Sequence, residues 1–302
     1  MANSIFVIVL NYNGFSDTLE CITSLLKSIP PETLEYQIVV VDNHSTDNSY
    51  LMLQESLPDS VIILDSKRNG GYAYGNNIGI RYAIDHGADY ICILNNDTII
   101  TSDFLSPCID ELRNNNTIAF ISPMLMNYYD NLVQNTGGTI SMIRGKSTET
   151  NKNVPERTIL KGIIPCDIVY GAAMLFNSSL IHSIGFLPEN YFLFYEETEW
   201  CYKAKQAGLT NCINTKTQII HKKSESLKSM SEMQCYLMER NRTLFVKRNG
   251  TFWEFALFLL FDFGRTIYRS IFHKIPLIQY VKYHIDGISE RFDPRYVKNM
   301  ET

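Results

Sequence analysis

The sequence predicts an α/β protein whose first hundred residues form a parallel sheet with helices on both faces. Short apolar runs rich in β-branched residues alternate with segments in which apolar residues recur at helical spacing. Apolar runs of this kind are typical of strands buried on both faces. Polar or glycine-containing loops separate the two kinds of segment. The strands are expected at 4–10, 36–42, 60–65 and 89–94.

Three helices are expected between these strands. Ser16 can cap the first helix, and residues 45–47, Ser-Thr-Asp, can cap the second. The third lies within 69–85, where two glycines precede a helical pattern. The resulting order, β-α-β-α-β-α-β, implies crossover connections and hence parallel strands.

Beyond residue 100 this alternation is lost. We expect strand pieces and turns over 121–147 and a polar mobile surface loop over 144–161. A strand over 166–177 should be followed by a short helix capped by Ser178 and Ser179. A helix within 191–208, a strand ending near 220 and mostly helix from 229 complete the expected order.

Composition excludes several classes of protein. A chain of 302 residues with 45% hydrophobic and 20% charged residues is ordinary for a soluble protein of one or two domains. The net charge of −5 disfavours nucleic-acid binding. Seven scattered cysteines without a CxxC pair suggest reduced thiols, and the first residues lack signal-peptide features. We therefore expect a cytoplasmic protein.

Polar residues follow each predicted N-terminal strand. Ligands of open α/β sheets bind at these carboxyl ends, although each position could also belong to an ordinary loop. Asp42 could accept hydrogen bonds from a base or a ribose, while Gly70 and Gly71 allow close approach of a ligand. The helix after them has an N-terminus suited to phosphate. The first loop, "NYNG", is neither a dinucleotide-binding fingerprint nor a phosphate loop.

Six segments together carry a family resemblance. In chain order they are "VIVLNYNG", "VVVDNHSTDNS", "RNGGYAYGNNIGIRYA", "ILNNDTII", "YGAAMLFN" with the following "IGFLPENYFLFYEETEWCYKAKQAG", and "HKKSES". The chain resembles family 2 glycosyltransferases over roughly residues 4–250, especially the bacterial rhamnosyltransferase-like branch. Each segment is weak alone, but six in the same order make coincidence improbable.

The resemblance implies a GT-A fold that binds a nucleotide-diphospho-sugar and transfers the sugar with inversion. It implies a GT-A domain over 1–250, with a nucleotide-binding half over about 1–100 and an acceptor half over about 101–250. A helical extension would occupy 251–302. The implied donor-binding residues are Asn11, Asn13, Asp42, Asn69, Gly70, Gly71, Asn76, Asn95, Asn96 and Gly171.

The segment "NND", residues 95–97, stands where the family usually carries a D-x-D motif. By this resemblance Asp97 would bind Mg²⁺ or Mn²⁺ together with the donor diphosphate, since these ions prefer oxygen ligands and few protein carboxylates. The metal would neutralise charge on the departing diphosphate. Asn95 replaces the first aspartate and brings no charge. His221 is a candidate second ligand, although a lone histidine is usually structural.

The segment "FYEETEW" contains the candidate catalytic base. An inverting transfer needs a group that takes the proton of the acceptor hydroxyl. By resemblance Glu197 is that base, with Glu196 as the alternative. A negatively charged first helical turn, favourable with the helix dipole, would also explain these carboxylates. The aromatic residues before them, 191–195, could form a sugar platform and raise the pKa of the base, or could be core.

Basic residues near the C-terminal half are candidate phosphate contacts. Residues 222–224, Lys-Lys-Ser, follow His221, and Arg240 and Arg242 lie on a predicted helix. For residues 222–224 a solvated basic turn is the alternative.

The C-terminal segment is strongly apolar and aromatic. Its uninterrupted apolar run, 255–261, is too short to span a bilayer. Aromatic residues followed by basic ones over 252–274 suit a helix lying in the membrane interface. Such a helix would place the protein at the inner face of the cytoplasmic membrane. Packing on the core or in a homodimer interface would explain the same pattern.

The function expected from these observations is metal-dependent, inverting glycosyl transfer in cell-surface polysaccharide synthesis, such as that of O-antigen. The donor would be dTDP-rhamnose or a UDP-hexose, and the acceptor a saccharide or a polyprenyl-linked sugar. A non-catalytic sugar-nucleotide-binding or scaffold subunit is the alternative. A nucleotidyltransferase would normally show a basic, glycine-rich loop after the first strand, where this chain has "NYNG".

Overall fold

The structure is a computed structural model that describes residues 4–29, 35–222, 231–273 and 276–296. Residues 223 and 224, two of the basic-turn positions, lie outside these ranges, as does most of the segment "HKKSES".

The first half of the chain forms the predicted alternation. Its elements are β1 (Ile5–Asn11), α1 (Phe15–Ser28), β2 (Gln37–Asp42), α2 (Ser49–Ser56), β3 (Val61–Asp65), α3 (Tyr72–Asp85) and β4 (Tyr90–Asn95). The strands are parallel, in the order β4-β1-β2-β3. This confirms all four strands and three helices within a few residues of their predicted bounds.

The predicted caps of the first two helices were wrong, whereas Ser179 does occupy the cap position of α5. Helix α1 begins at Phe15 after Gly14, so Ser16 lies inside its first turn and does not cap it. Helix α2 begins at Ser49, and Asn48 rather than residues 45–47 occupies the cap position. Asp47 still accepts a hydrogen bond from the N–H of Ser49 at 2.9 Å. Boundaries depend on loop geometry that a short cap pattern does not determine.

The second half adds antiparallel pairings to the sheet. Its elements are β5 (Thr98–Ile99), α4 (Leu105–Asn114), β6 (Ile118–Asn127), β7 (Leu132–Asn135), β8 (Gly138–Ser141), β9 (Lys146–Glu149), β10 (Val154–Pro155), β11 (Ile163–Cys166), β12 (Ala173–Asn177), α5 (Leu180–Ile184), α6 (Glu196–Gln206) and β13 (Thr210–His221). Strand β12 runs antiparallel to β4, whereas β13 runs parallel to β6. The main sheet is therefore mixed.

Two expectations for this half need correction. The polar segment 144–161 contains strand β9, which pairs with β8 in a separate hairpin, and strand β10 at the edge of the main sheet. The single strand expected over 166–177 is divided into the end of β11 and β12, with a loop between them. Both differences arise because pairing with a partner strand, and not local composition alone, determines which residues form a strand.

The core lies on both faces of the sheet. Along β1, Ile5, Val7 and Val9 pack into the core on one face, and Phe6 and Ile8 into the core on the other. Side chains of a strand alternate between faces, so a continuous apolar run is what a strand covered on both sides requires.

Three C-terminal helices pack beside the acceptor half: α7 (Glu232–Asn249), α8 (Phe252–His273) and α9 (Leu277–Ile288). Helix α7 starts in a capping box formed by Ser231 and Gln234. It contacts both α8 and α9, so the packing continues across the domain boundary expected at residue 250.

Buried ion pairs join these helices. Glu239 of α7 pairs with Arg265 and Arg269 of α8, and Asp262 of α8 lies 2.9 Å from both Arg242 and His284. Glu239, Asp262 and His284 lie close enough to hold a metal ion. The arginines already balance both carboxylates, so the cluster is better described as an ion-pair network.

Among the described residues, no helix has the length and apolar character needed to cross a bilayer. The exposed side of α8 is nevertheless apolar: Trp253, Leu260 and Phe263 are each more than 60% exposed.

Candidate active site

The register of the parallel strands brings polar side chains together at one sheet edge. Asn11 lies opposite Asp42, and Leu10 lies opposite Asn95. The Asn11 Nδ2 donates to Asp42 Oδ2 at 2.7 Å, and the Ser45 N–H and hydroxyl also donate to the Asp42 carboxylate. Asp42 is 1% exposed. In this arrangement it fixes the loop after β2, and its contact with a donor stays a prediction.

The neighbouring loops are joined by side-chain amides. Asn13, at a φ of 50°, accepts a hydrogen bond from the Thr46 N–H at 2.8 Å. Asn69 Oδ1 accepts from Asn43 Nδ2 at 3.0 Å and from the Gly71 N–H at 3.1 Å. These bonds hold the three loops that would surround a nucleotide.

The glycine loop lies against a segment of the acceptor half. Gly71 has a φ of 90°, and a Cβ there would lie 2.2 Å from the carbonyl oxygen of Phe192. Only glycine tolerates this conformation and this approach. The next residue, Tyr72, donates its N–H to the same carbonyl oxygen at 2.7 Å. Asn76 is buried one turn into α3, and its Oδ1 has no hydrogen-bond partner among the described residues.

The segment "NND" ends β4 inside the cleft. Asn95 Oδ1 lies 3.1 Å from the Tyr72 hydroxyl, and Asn96 Nδ2 donates to the Thr18 hydroxyl at 3.0 Å. Asp97 Oδ1 lies 3.1 Å from Nε2 of His221. Thus the structure brings together the two residues that the sequence predicted as metal ligands.

This pair fits a divalent cation. The side chains of Asp97 and His221 are each 14% exposed, so they are sheltered but reachable. His221 Nδ1 lies 3.0 Å from Gln134 Oε1, which can only accept, so Nδ1 carries the hydrogen. In the neutral ring the Nε2 lone pair would then face the Asp97 carboxylate, and a cation bound by both would remove the repulsion between these two acceptors. Two protein ligands are few, as expected where phosphate oxygens supply the rest.

Two glutamates begin α6 beside the cleft: Glu196 is buried, and Glu197 is partly exposed. Burial raises the pKa of Glu196 well above its ordinary value, and the charge of Glu197 raises it further. Glu196 Oε2 has no hydrogen-bond partner within the described part of the chain. Burial also raises the pKa of Glu197 to about 7, opposed by hydrogen bonds from the N–H groups of Gly171 and Glu197. Both carboxyl groups therefore favour their neutral form more than an ordinary glutamate does, and Glu197, with a pKa of about 7, can exchange a proton near neutral pH.

Gly171 and Tyr72 connect Glu197 to the "NND" segment. A Cβ at position 171 would lie 2.0 Å from Glu197 Oε1 and 2.6 Å from the Tyr72 hydroxyl oxygen. The same hydroxyl lies 3.2 Å from the Gly171 carbonyl oxygen and contacts Asn95. A short chain of contacts thus links the candidate base to Asn95, two residues before the candidate metal ligand Asp97.

The aromatic segment before these glutamates is mainly core. Tyr191 and Tyr195 are buried with Phe245 of α7 and Phe258 of α8, whereas Phe192 and Phe194 are partly exposed. The third carboxylate, Glu199, is fully buried and binds the Tyr191 hydroxyl. It also pairs with Lys203 at 2.9 Å, which indicates a structural role.

The basic residues proposed as phosphate contacts mostly have other partners. Arg240 is fully buried, and its guanidinium lies 3.9 Å from the ring centroid of Phe292. Arg242 pairs with Asp262 inside the helical region. The prediction was wrong for both arginines, because their charges are compensated inside the protein. Lys222 pairs with Asp17 at 2.8 Å and with Glu20.

Sequence reasoning missed three residues of this region: Tyr72, Gln134 and Asn241. Tyr72 is the first residue of α3, and only its position after two glycines could have drawn attention to it. Gln134 and Asn241 make their contacts with residues distant in the sequence, so no local pattern marks them.

Fold and site together define the class of GT-A glycosyltransferases: a nucleotide-binding half with polar strand ends, an acidic residue beside a histidine, and glutamates at the cleft. The family described as Glycosyl transferase family 2 matches residues 6–182, which is more than half of the chain. The chain belongs to this family and is a glycosyltransferase that uses a nucleotide sugar.

Two characterised relatives are similar over most of their length. The low-salt glycan biosynthesis hexosyltransferase Agl10 of Haloferax volcanii is 27% identical over 246 residues, covering 81% of this chain and 76% of the relative. The dTDP-rhamnosyl transferase RfbF of Shigella flexneri is 24% identical over 265 residues, covering 82% of each.

Solved structures share the fold at low sequence identity. GalNAc-T7, crystallised with UDP, GalNAc and Mn²⁺, has a TM-score of 0.63 and 16% identity over 82% of this chain. The present chain spans about half of that protein, 48%. Residues 1–349 of S. aureus TarS with UDP have a TM-score of 0.58 and 17% identity, covering 95% of this chain and 79% of that one.

Proposed function

We propose that the protein is an inverting, metal-dependent transferase that adds rhamnose from dTDP-rhamnose to a saccharide or polyprenyl-linked acceptor in cell-surface polysaccharide synthesis. The similarity to a dTDP-rhamnosyl transferase supports this donor. UDP-hexoses are the alternative donors to compare with dTDP-rhamnose, because one relative is a hexosyltransferase and one structural neighbour was crystallised with UDP.

One observation carries the proposal. A glutamate with a raised pKa, Glu197, lies against Gly171 and Tyr72, and the Tyr72 hydroxyl contacts Asn95, two residues before Asp97. A base and an anion-stabilising site must lie on opposite sides of a transferred sugar. The contacts among Glu197, Gly171, Tyr72 and Asn95 support a cleft of this kind.

The reaction is a single displacement. The Glu197 carboxylate takes the proton of the acceptor hydroxyl as that oxygen forms a bond to the anomeric carbon. The bond from this carbon to the diphosphate oxygen breaks, and its electron pair leaves with the nucleoside diphosphate. Attack from the face opposite the leaving group inverts the configuration. Burial raises the pKa of Glu196 well above its ordinary value, which favours the neutral form of this neighbour of the base.

Asp97 and His221 are the residues that would hold Mg²⁺ or Mn²⁺. The bound cation would supply positive charge to the departing diphosphate. Gln134 would keep His221 in the tautomer whose Nε2 can act as a ligand.

Transfer assays with two variants test these roles. Purified protein is incubated with Mn²⁺, a polyprenyl-linked saccharide acceptor and dTDP-rhamnose, UDP-glucose or UDP-galactose, and released nucleotide and product configuration are measured by NMR. Asp97→Ala and Glu197→Gln are each expected to lower turnover at least about 10²-fold. Glu156→Gln, a surface change, serves as the control.

Near-normal transfer by either variant would contradict the residue's role. Donor binding without turnover by the wild type would favour the non-catalytic alternative. A product with retained configuration would exclude the single displacement.

The second part of the proposal concerns the C-terminal apolar face, defined by the exposed residues Phe252, Trp253, Leu257, Leu260, Phe263, Ile271 and Phe272 of α8 and Ile278 and Ile285 of α9. Helix α8 has 22 residues and is about 33 Å long. An aromatic face of this extent suits the headgroup region of a bilayer. Binding there would bring the cleft to a polyprenyl-linked acceptor.

Flotation with phosphatidylglycerol-containing vesicles tests the membrane contact. We expect the wild type to float and a variant with serine at Phe252, Trp253 and Leu260 to remain in the dense fraction. Tyr129→Ser, which removes an aromatic residue that is 74% exposed elsewhere, is the matched control. Equal flotation of all three proteins would refute the proposal. A wild-type dimer that the triple substitution dissociates, with no flotation, would assign this face to self-association.

A further inference from the structure

The loop before the candidate base has an unusual backbone. Phe192, Phe194 and Tyr195 have φ values of 66°, 70° and 78°. Bulky residues rarely adopt positive φ, because this backbone conformation is strained for a side chain with a Cβ. Three of them in four positions require surrounding contacts that hold the loop in place.

A single buried side chain supplies most of those contacts. Asn241 of α7 is fully buried, and the two hydrogens of its Nδ2 are shared among the carbonyl oxygens of Tyr191 at 2.9 Å, Leu193 at 2.8 Å and Phe194 at 3.0 Å. Its Oδ1 accepts from Arg240 Nη1 at 2.8 Å, which fixes the orientation of the amide. The same Arg240 nitrogen donates to the Asn190 carbonyl oxygen at 2.5 Å, at the start of the loop.

The loop touches both sides of the cleft. On the donor side its Phe192 carbonyl oxygen accepts the Tyr72 N–H and closely approaches Gly71. On the acceptor side it leads directly into α6, whose first two residues are the paired glutamates. The N–H of Phe194 donates to the carboxylate of Glu196. A shift of the loop would therefore move the carboxylates and the glycine loop together.

We propose that Asn241 is a positioning residue for this reaction: its amide holds the backbone of residues 191–195 in the conformation that places Glu197 in the cleft. This inference rests on the proposed function, because the need for placement comes from the role of Glu197 as a base. Asn241 itself lies behind the loop and does not touch the reacting atoms.

The matched test compares Asn241→Asp with Thr243→Val. Aspartate keeps the shape and the bond from Arg240 but replaces the donors with a second acceptor facing three carbonyl oxygens. Thr243 is equally buried on the same helix, and its hydroxyl contacts the Glu239 carbonyl oxygen and His284 instead of the loop. Asn241→Leu is a second variant that removes the polar group.

Two measurements are made on each protein. Hydrogen–deuterium exchange follows the backbone amides of 190–199, and turnover of the donor is measured from pH 5 to 9. We expect faster exchange confined to 190–199, a fall in kcat of about 10²-fold and a displaced acidic limb in Asn241→Asp. Thr243→Val should match the wild type in exchange rate, in kcat and in its pH profile.

Wild-type exchange and an unchanged pH profile in both Asn241 variants would overturn the inference. So would general unfolding of both variants while Thr243→Val stays folded, since Asn241 would then support the whole fold. If the wild type turns over no donor, the proposed function fails, and the exchange comparison still decides whether Asn241 holds the loop.

Discussion

Replacing Gly171 with alanine is expected to impair catalysis far more than folding. The added Cβ would lie 2.0 Å from Oε1 of Glu197 and 2.6 Å from the Tyr72 hydroxyl oxygen. Both neighbours are side-chain atoms that can move, so the backbone around β12 need not be disrupted. The added methyl group should instead displace the carboxylate of the candidate base, Glu197.

The size of the effect follows from the overlap. Ordinary van der Waals contact begins at 3.4 Å, so the Glu197 carboxylate must retreat by about 1.4 Å. A misplacement of about 1 Å can lower an enzymatic rate about 10²-fold. We therefore expect kcat to fall at least about 10²-fold, with a stability loss of about 1–3 kcal/mol, the usual cost of overpacking.

The assay is a double-mutant cycle. Initial transfer rates at saturating donor are measured for the wild type, Gly171→Ala, Glu197→Gln and the double variant, and thermal melting confirms that each is folded. If the added methyl group acts through the base, Gly171→Ala should lower the residual rate of Glu197→Gln only slightly.

Either of two results would refute this reasoning. The first is a folded Gly171→Ala with a kcat close to that of the wild type. The second is an equal loss of rate in both backgrounds, which would mean that residue 171 acts independently of Glu197.

Three further changes follow from the site. Because the base must be unprotonated and burial raises the pKa of Glu197 to about 7, turnover should rise with pH through this region, and Glu197→Gln should abolish that dependence. Glu196→Gln should raise the melting temperature at pH 8 but not at pH 4. The pKa of Glu196 is raised in the folded state, so this carboxyl lowers the stability of the fold only at pH values above about 4.5, where the same group ionises in the unfolded chain. Calorimetry at both pH values checks this, and equal shifts would contradict it. Gln134→Leu should weaken Mn²⁺ binding about 10–100-fold, measured by the EPR signal of free Mn²⁺, because His221 loses its orienting acceptor. Unchanged affinity would show that His221 is not a ligand held in this way.

The first half of the fold was predictable because its signals are local. Strand β1 is a continuous apolar run, and a strand covered on both faces needs no polar alternation. The second half was harder, because β9 is a polar strand, Lys146–Glu149, whose only described partner is β8. Nothing in its composition distinguishes such a segment from a loop.

The candidate site was predicted as separate motifs rather than as an arrangement. The order of motifs suggested Asp97 and His221, and the structure places their ligand atoms 3.1 Å apart. The sequence could not indicate that Tyr72 would reach Gly171, since their contact joins two halves of the chain. Long-range contacts of this kind are set by the topology of the sheet.

For Arg240 and Arg242 the sequence predicted phosphate contacts, whereas the structure shows buried side chains with partners inside the protein. A charged residue in sequence suggests a solvated or ligand-facing side chain, because burying a charge is costly unless it is compensated. Arg240 is compensated by the carbonyl oxygens of Asn190 and Arg291, by Asn241 and by the ring of Phe292. Asn190 lies 50 residues before it and Arg291 lies 51 residues after it, so only the folded chain reveals its role.

The amide at position 95 can be understood from the charges around it. Burial raises the pKa of Tyr72, and the nearby carboxylates of Glu197, Glu196 and Asp97 raise it further. An aspartate at position 95 would add another negative charge beside the same hydroxyl, and like charges raise each other's pKa. Glu197 would then stay protonated over more of the neutral range and would be a poorer base. Asn95 keeps the hydrogen-bond acceptor for Tyr72 without that charge, so its presence favours a tuned catalytic cleft over a degenerate, non-catalytic one.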